Sequence, residues 1–377
     1  MKKSIFFCAA LFACAFAFQS CDQVKSDNPA TVDEATYDLQ KGMTLGDYID
    51  KYAVDGVVVL PAGAVVNLDE PIELDQTLTI VSDPEDPATI IAKAGFVVSD
   101  NFTLKDVKID AAEVTTPFIA LNPEGGKVKN QDVYTDAQTK DFYLLGEIAI
   151  ENVMIKDLKN ALVSSNGQDW ALVSLIIENS IIQLDNGDKN TLIAFDATKN
   201  NKGAIKNIKI QKNTIYNLQE NKSKYFIRFA NASNAQGAFG TKNGTSTYDW
   251  KISSNTIIRT MTAKDFGNNI VNNAKVTSTF NNNLLYDVYR VYQYLQNNQV
   301  RETVGNFVFY NVTKAADCTN DQSRKDSNGN PYTTVLETAP FEVPTTSLDL
   351  TKKNGGLNLT PSGEASATGD PRWLTVD

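Results

Sequence analysis

The chain of 377 residues contains no histidine, four cysteines, four methionines and only six arginines. Zero histidine removes the Ser-His-Asp and Cys-His nucleophiles, any imidazole acid or base, and every His-based zinc site. Whatever chemistry exists must use carboxylates, Lys, Arg, Tyr or a bound ion. Positive charge is also in deficit, with 35 Lys+Arg against 45 Asp+Glu and a net charge of −10. That balance argues against nucleic acid, whose binding rests on neutralising phosphates. It disfavours polyuronates too, unless a cation bridges them. Beyond the extreme N-terminus no apolar run is long enough to cross a bilayer.

What is present begins with an address. Lys2 and Lys3 precede a short apolar run from Ile5 to Phe18, the layout of an export signal. The sequence Phe18-Gln19-Ser20-Cys21 then resembles the lipobox of bacterial lipoproteins, which implies lipidation at Cys21 and a membrane attachment through that lipid. Removing residues 1–20 takes Lys2 and Lys3 with it and moves the net charge from −10 to −12. Cys8 and Cys14 leave as well. With Cys21 lipidated, Cys318 has no partner for an intrachain disulfide, and no thiolate metal cluster can form. No histidine exists to activate Cys318 as a nucleophile.

The middle of the chain repeats a short unit: an apolar strand, an Asn or Asp at a corner, and a second apolar strand. The corners are Asp106, Asn152, Asn179, Asn213, Asn255, Asn283 and Asn306. Their spacing is uneven, as when loops of different length leave one side of a coil. The gap between Asp106 and Asn152 is long enough to hold a further coil. Asn suits a tight corner because it tolerates left-handed φ and its amide bonds nearby backbone. Stacked coil on coil, such amides can also form a ladder.

This pattern resembles the pectate-lyase-like right-handed parallel β-helix. Around it the expected fold is all-β: a solenoid with a short N-terminal capping helix and an irregular C-terminal segment. The helix is predicted from Thr44, its N-cap, with Asp47 closing a capping box. The opening coils are read at Asp55–Gly63 and Leu78–Val81. An antiparallel sandwich or barrel built from the same short strands is the competing fold, and the repeated Asn corner favours the solenoid. The predicted divisions are a signal at 1–20, a linker at 21–36, the β-helix at 37–312 and a turn-rich cap at 313–377. The lipobox, together with the ending Gly369-Asp370-Pro371-Arg372-Trp373, resembles Bacteroides-type outer-membrane lipoproteins with a β-helix and a C-terminal domain ending in GDPRW. The resemblance implies a cell-envelope location near glycan-handling proteins, and Trp373 is a candidate apolar plug over the last coil.

Counting from the corners gives two columns. Three positions on stand Ile109, Ile155, Ile182, Tyr216, Ile258, Tyr286 and Phe309, expected to face outward if Ile181, Ile215, Ile257, Leu285 and Val308 face inward. Tyr216, Tyr286 and Phe309 would then stack on sugar rings, with Gln183 and Asn217 supplying hydrogen bonds. The simpler reading is a satellite core covered by long loops, because bare apolar ladders are uncommon. A second aromatic run, Tyr289, Tyr292 and Tyr294, has strand packing as its simpler reading.

The hydrolases of the fold use a His-containing motif, broken here. Its lyases use Lys or Arg with an ion, roles that Lys156, Arg259 and Asp287 on one column would fill, though without a matching motif. Calcium is suggested by Asp326, Asn328, Asn330 and Glu337, which match positions of an EF-hand loop, with Pro331 where that loop needs Gly. Asp185-Asn186-Gly187-Asp188 is a second acidic loop, and a structural turn is the simpler reading of both. The expected function is a lipid-anchored envelope protein binding a polysaccharide or glycoconjugate without cleaving it. The alternatives are a uronic-acid polysaccharide lyase with a Lys or Arg base and Ca²⁺, or an adhesion module for a protein partner.

Overall fold

The computed structural model describes residues 42–122, 143–166, 170–185, 191–195, 204–218, 225–229, 247–260, 267–268, 275–288, 301–305, 307–312, 333–342, 358–366 and 368–373. Short apolar strands succeed one another around a coil, and each pairs in parallel with its counterpart one coil later. The result is a parallel β-helix.

Its first sheet has nine strands. They are Val57–Val59, Leu78–Val81, Phe102–Lys105, Tyr143–Glu151, Trp170–Glu178, Ala204–Gln211, Thr247–Ser253, Lys275–Asn281 and Arg301–Gly305. We number the coils one to nine by these strands. The second sheet follows the Asn corner and has ten: Val65–Leu68, Thr89–Ala92, Lys108–Asp110, Met154–Leu158, Ile181–Leu184, Thr214–Asn217, Thr256–Ile258, Leu284–Tyr286, Phe307–Tyr310 and Thr333–Val335. The third has seven, from Ile72–Leu74 in coil one to Gly267–Asn268 in coil seven.

Strand alternation sends one column of each sheet into a narrow core. In the first sheet Val58, Ile80, Leu104, Ile150, Ile177, Ile210 and Ile252 are buried in register; in the second, Ile90, Ile109, Ile155, Ile182, Ile215, Ile257, Leu285 and Phe309. β-Branched residues dominate because they fill a pleated, tightly stacked surface. The N-terminal end is closed by helix α1 (Leu45–Tyr52), whose Thr44–Asp47 capping box forms as the sequence predicts. Leu45 and Tyr48 are fully buried beneath it, and the Tyr48 hydroxyl donates to the Val59 carbonyl at 3.0 Å.

No additional coil hides between Asp106 and Asn152. The strands of coil three pair directly with those of coil four in all three sheets.

The corners divide into two kinds, a distinction invisible in the spacing. Each corner has a left-handed residue followed by one that leads into the second sheet. In coils three to five the left-handed residue is the predicted one: Asp106, Asn152 and Asn179, with φ of 54°, 53° and 57°. In coils six to eight the Asn stands one place later, and Asn306 lies outside the described residues. The left-handed residues there are Lys212, Ser254 and Asn282, at 55°, 57° and 54°, and Asn213, Asn255 and Asn283 turn inward. Asn213 Nδ2 donates to Asn255 Oδ1 at 3.0 Å, and Asn255 Nδ2 to Asn283 Oδ1 at 2.9 Å. The same amides donate back to the carbonyls of Ile177 and Ile210, while Asn283 Nδ2 donates to Ile252. Backbone N–H groups of Ser180, Asn213 and Asn255 donate to the Oδ1 atoms one coil on. This buried ladder holds coils five to eight together and offsets the cost of placing Lys212 and Ser254 in a conformation that L-residues disfavour.

That one-residue slip corrects the expected column. A shift of one residue exchanges the faces of a strand. Ile109, Ile155, Ile182 and Phe309 therefore face the core, whereas Ile181 and Val308, expected inward, face outward with Tyr216, Ile258 and Tyr286.

Candidate functional site

The outer face of the second sheet changes along the solenoid. In coils one and two it bears Val65 and Ile91, 59% and 38% exposed. From coil five on it is covered. Ile181, Tyr216, Ile258, Leu284, Tyr286 and Val308 form a second apolar core with Phe341 and Trp373 of the C-terminal segment. That segment enters as the last strand of the second sheet, Thr333–Val335, pairing with Phe307–Tyr310. Phe341 bridges to Leu359, and Thr360 Oγ1 donates to the Ala339 carbonyl at 2.6 Å. The chain then runs back over earlier coils as a strap.

Each residue of Gly369-Asp370-Pro371-Arg372-Trp373 has a distinct task. Gly369 has φ +115°, and a Cβ there would meet Thr256 Oγ1 at 2.6 Å, so only glycine fits. Its N–H donates to the Asn282 carbonyl in the corner of coil eight, at 2.9 Å. Asp370, with no exposure, receives Thr214 Oγ1 at 2.8 Å, while its own N–H donates to Thr256 Oγ1 at 2.9 Å. Its carboxylate also caps the 3₁₀ turn Pro371–Trp373 by accepting the Arg372 N–H. Pro371 opens that turn, where a missing N–H costs nothing.

Arg372 pairs with Asp370 through Nε, at 3.0 Å to both carboxylate oxygens. Its remaining nitrogens donate to three corner carbonyls, Asn179 at 3.1 Å, Ser180 at 2.9 Å and Lys212 at 3.1 Å. Trp373 is buried, and its indole N–H donates to Thr214 Oγ1. One pentapeptide therefore ties the corners of coils five, six and eight together.

The predicted aromatic strip lies largely in this contact. Tyr216 is 1% exposed and receives Gln183 Nε2 on its hydroxyl at 3.1 Å. Tyr286 stacks on Tyr310 with centroids 4.9 Å apart, and burial, with Asp287 and Tyr310 adding to it, pushes its phenol up to about 12. Gln183 and Asn217 are buried, and Phe309 belongs to the inner core. These residues are packing groups: the strip is the satellite core of the simpler reading.

The proposed catalytic trio is not assembled. Arg259 and Asp287 occupy left-handed second corners of adjacent coils, with Arg259 Nε 3.6 Å from Asp287 Oδ2. Asp287 also accepts Asn311 Nδ2 at 2.5 Å. Lys156 lies three coils from Arg259 and four from Asp287, within a strand, paired in register with Asp110, rather than at a corner, so the expected single column was a misalignment. Beside it, burial pushes the Asp157 carboxyl above its usual range.

Among the described residues no three His, Cys, Asp or Glu side chains gather to hold a metal ion. Asp326, Asn328, Asn330, Cys21, Tyr289, Tyr292 and Tyr294 lie outside the described residues; Glu337 is exposed near the last strand. No helix among the described residues is long and apolar enough to cross a membrane.

The open surface is the outer face of the first sheet. Three columns stand in register there: Glu147, Ser174, Asn207 and Asp249; then Ala149, Ile176, Lys209, Lys251 and Thr279; then Lys105, Glu151, Glu178, Gln211, Ser253 and Asn281. Asp249 and Lys251 are exposed, and Ser174, Asn207, Glu178, Lys209 and Thr279 half-buried. Charges pair across coils, Lys209 with Glu178 at 2.5 Å and Lys105 with Glu151 at 4.0 Å. Gln211 donates to Ser253. At about 4.8 Å per strand, the six strands of coils three to eight carry these columns over about 24 Å, and at the N-terminal edge the same face bears Val57 and Val59, 40% and 45% exposed. Nothing in corner spacing points to this face; the signal was the polar residues alternating with Ile in the strands before each corner.

Residues 64–218 match a family model described as a domain of unknown function, DUF4957. The match covers the solenoid from the second sheet of coil one to that of coil six, and stops short of the strap. No curated protein and no solved structure matches the chain.

Proposed function

We propose that this chain is a lipid-anchored protein of the cell envelope that holds an extended, uncharged glycan against the outer face of its first sheet, without cleaving it. The observation that carries this is the ladder of hydroxyl, amide and internally paired charged side chains on that face, repeated at the strand spacing. A linear polymer of hydroxyl-bearing rings can exchange its water hydrogen bonds for a series of such groups, and affinity then accumulates by avidity. Lys209 and Lys105 are already partnered by carboxylates, which favours a neutral chain over a polyuronate. Anchoring rests on the lipobox at Cys21, and the trio Lys156, Arg259 and Asp287 offers no joint base.

The test is retention of the mature protein on affinity gels cast with neutral glycans. Asn207→Ala combined with Lys251→Ala should weaken retention on the retained glycan at least fivefold, and Tyr216→Phe should leave it unchanged. Equal retention of wild type and the double variant would contradict the first-sheet site. Incubation with alginate, pectin or glycosaminoglycans should yield no unsaturated product; its appearance would restore the lyase.

A further inference from the structure

We propose that the outer face of the second sheet in coils five to eight is a recognition site for the Gly-Asp-Pro-Arg-Trp segment as such, able to take it from a second copy of the chain as well as from its own. The receptor half is built without the strap. Thr214 and Thr256 project from strands whose register is set by the Asn213–Asn255–Asn283 ladder. The corner carbonyls of Asn179, Ser180, Lys212 and Asn282 are oriented by left-handed residues, several of which also pair coil to coil.

The ligand half is compact and self-organised. Asp370 and Arg372 pair with each other, so the segment carries its own charge compensation, and its polar groups meet only hydroxyls and carbonyls while Trp373 enters the apolar cluster. Such a contact is read by shape and hydrogen bonding, not by continuity of the chain. Specificity follows from geometry. Gly369 is required by φ and by Thr256 Oγ1, the guanidinium by its three carbonyls, and the indole by Thr214 Oγ1. Lysine in place of Arg372 cannot span three acceptors with one planar fork. Twenty residues separate Val312 from the last strand, roughly 60–70 Å if extended, enough reach for exchange between neighbours.

The test uses two full-length chains. One carries Asp370→Ala and Arg372→Ala, which disables its strap and leaves its receptor; the other carries Thr214→Val and Thr256→Val, which disables its receptor and leaves its strap. Each alone should elute as the wild type does. Mixed, they should form a one-to-one heterodimer, dissociated by excess peptide of residues 358–373. The labelled peptide should bind the first chain at least tenfold more tightly than it binds wild type, whose site is filled. An Arg372→Lys peptide should lose that advantage.

Absence of both heterodimer and peptide binding overturns the proposal. Peptide binding without a heterodimer overturns the second copy as donor. If the Asp370→Ala/Arg372→Ala chain loses its β-sheet circular dichroism, a Trp373→Ala chain serves as receptor, and equal peptide binding by it and by wild type overturns the proposal.

Discussion

Coils one to three and coils five to eight share one core and differ in everything outside it. The early coils leave the second sheet bare, with single apolar residues such as Val65 and Ile91 in solvent, and the left-handed corner residue of coil three is Asp106. The later coils bury that face beneath the strap and bury the Asn ladder inside the corner. The early end is closed by helix α1, which satisfies the first strands directly. The later end is tied lengthwise, several coils at once. A solenoid is held mainly by nearest-neighbour contacts and frays from its ends; a strap spanning coils five to eight couples repeats that otherwise touch only in sequence.

The largest effect expected from breaking this contrast comes from Arg372→Ala. It leaves the Asp370 carboxylate buried without its cation and should cost about 3–5 kcal/mol, read as a lower urea midpoint. Next, Asn255→Ala strands the Ile210 carbonyl and the Asn213 amide inside the corner, and should cost about 2–3 kcal/mol. In a corner of the first kind, Asn152→Gly gives up a hydrogen bond to Asp106 but supplies the residue best suited to that φ, and should cost less than about 1 kcal/mol in the same titration.

A smaller effect comes from alkali. The Tyr286 phenol is raised to about 12 in the fold against an ordinary value near 10. Its contribution is therefore intact below pH 10 and is lost as pH rises from about 10 towards 12, on the order of 1 kcal/mol. Tyr286→Phe should remove that part of the alkaline slope in urea titrations at pH 9 and 11. Least of all, Val65→Thr and Ile91→Thr on the bare face should change stability by no more than about 0.5 kcal/mol; a larger loss would show that this face is covered too.

Much of this architecture is legible in the sequence. The Ile-rich strands, the Asn corners and the Thr44–Asp47 box each have a local physical cause, and local causes leave local marks. The faces of the second-sheet strands were not legible, because Asn occupies two adjacent corner positions. One letter serves a left-handed turn at Asn179 and an inward amide at Asn213, so aligning the letters misaligns the strands. The strap's role was half legible. Trp373 reads as a plug, but the partners of Arg372 are backbone carbonyls, and any residue type can supply a carbonyl. Thr214 and Thr256, standing where Ile181 stands in coil five, were the available signal that the later face meets a polar ligand.

The most direct measurement is native-state hydrogen exchange of wild type and Arg372→Ala, read peptide by peptide. Protection should fall in Ile181–Leu184, Thr214–Asn217, Thr256–Ile258 and Leu284–Tyr286, and stay unchanged in Thr89–Ala92 and Lys108–Asp110. An equal fall in all coils, or none in the later ones, would contradict this.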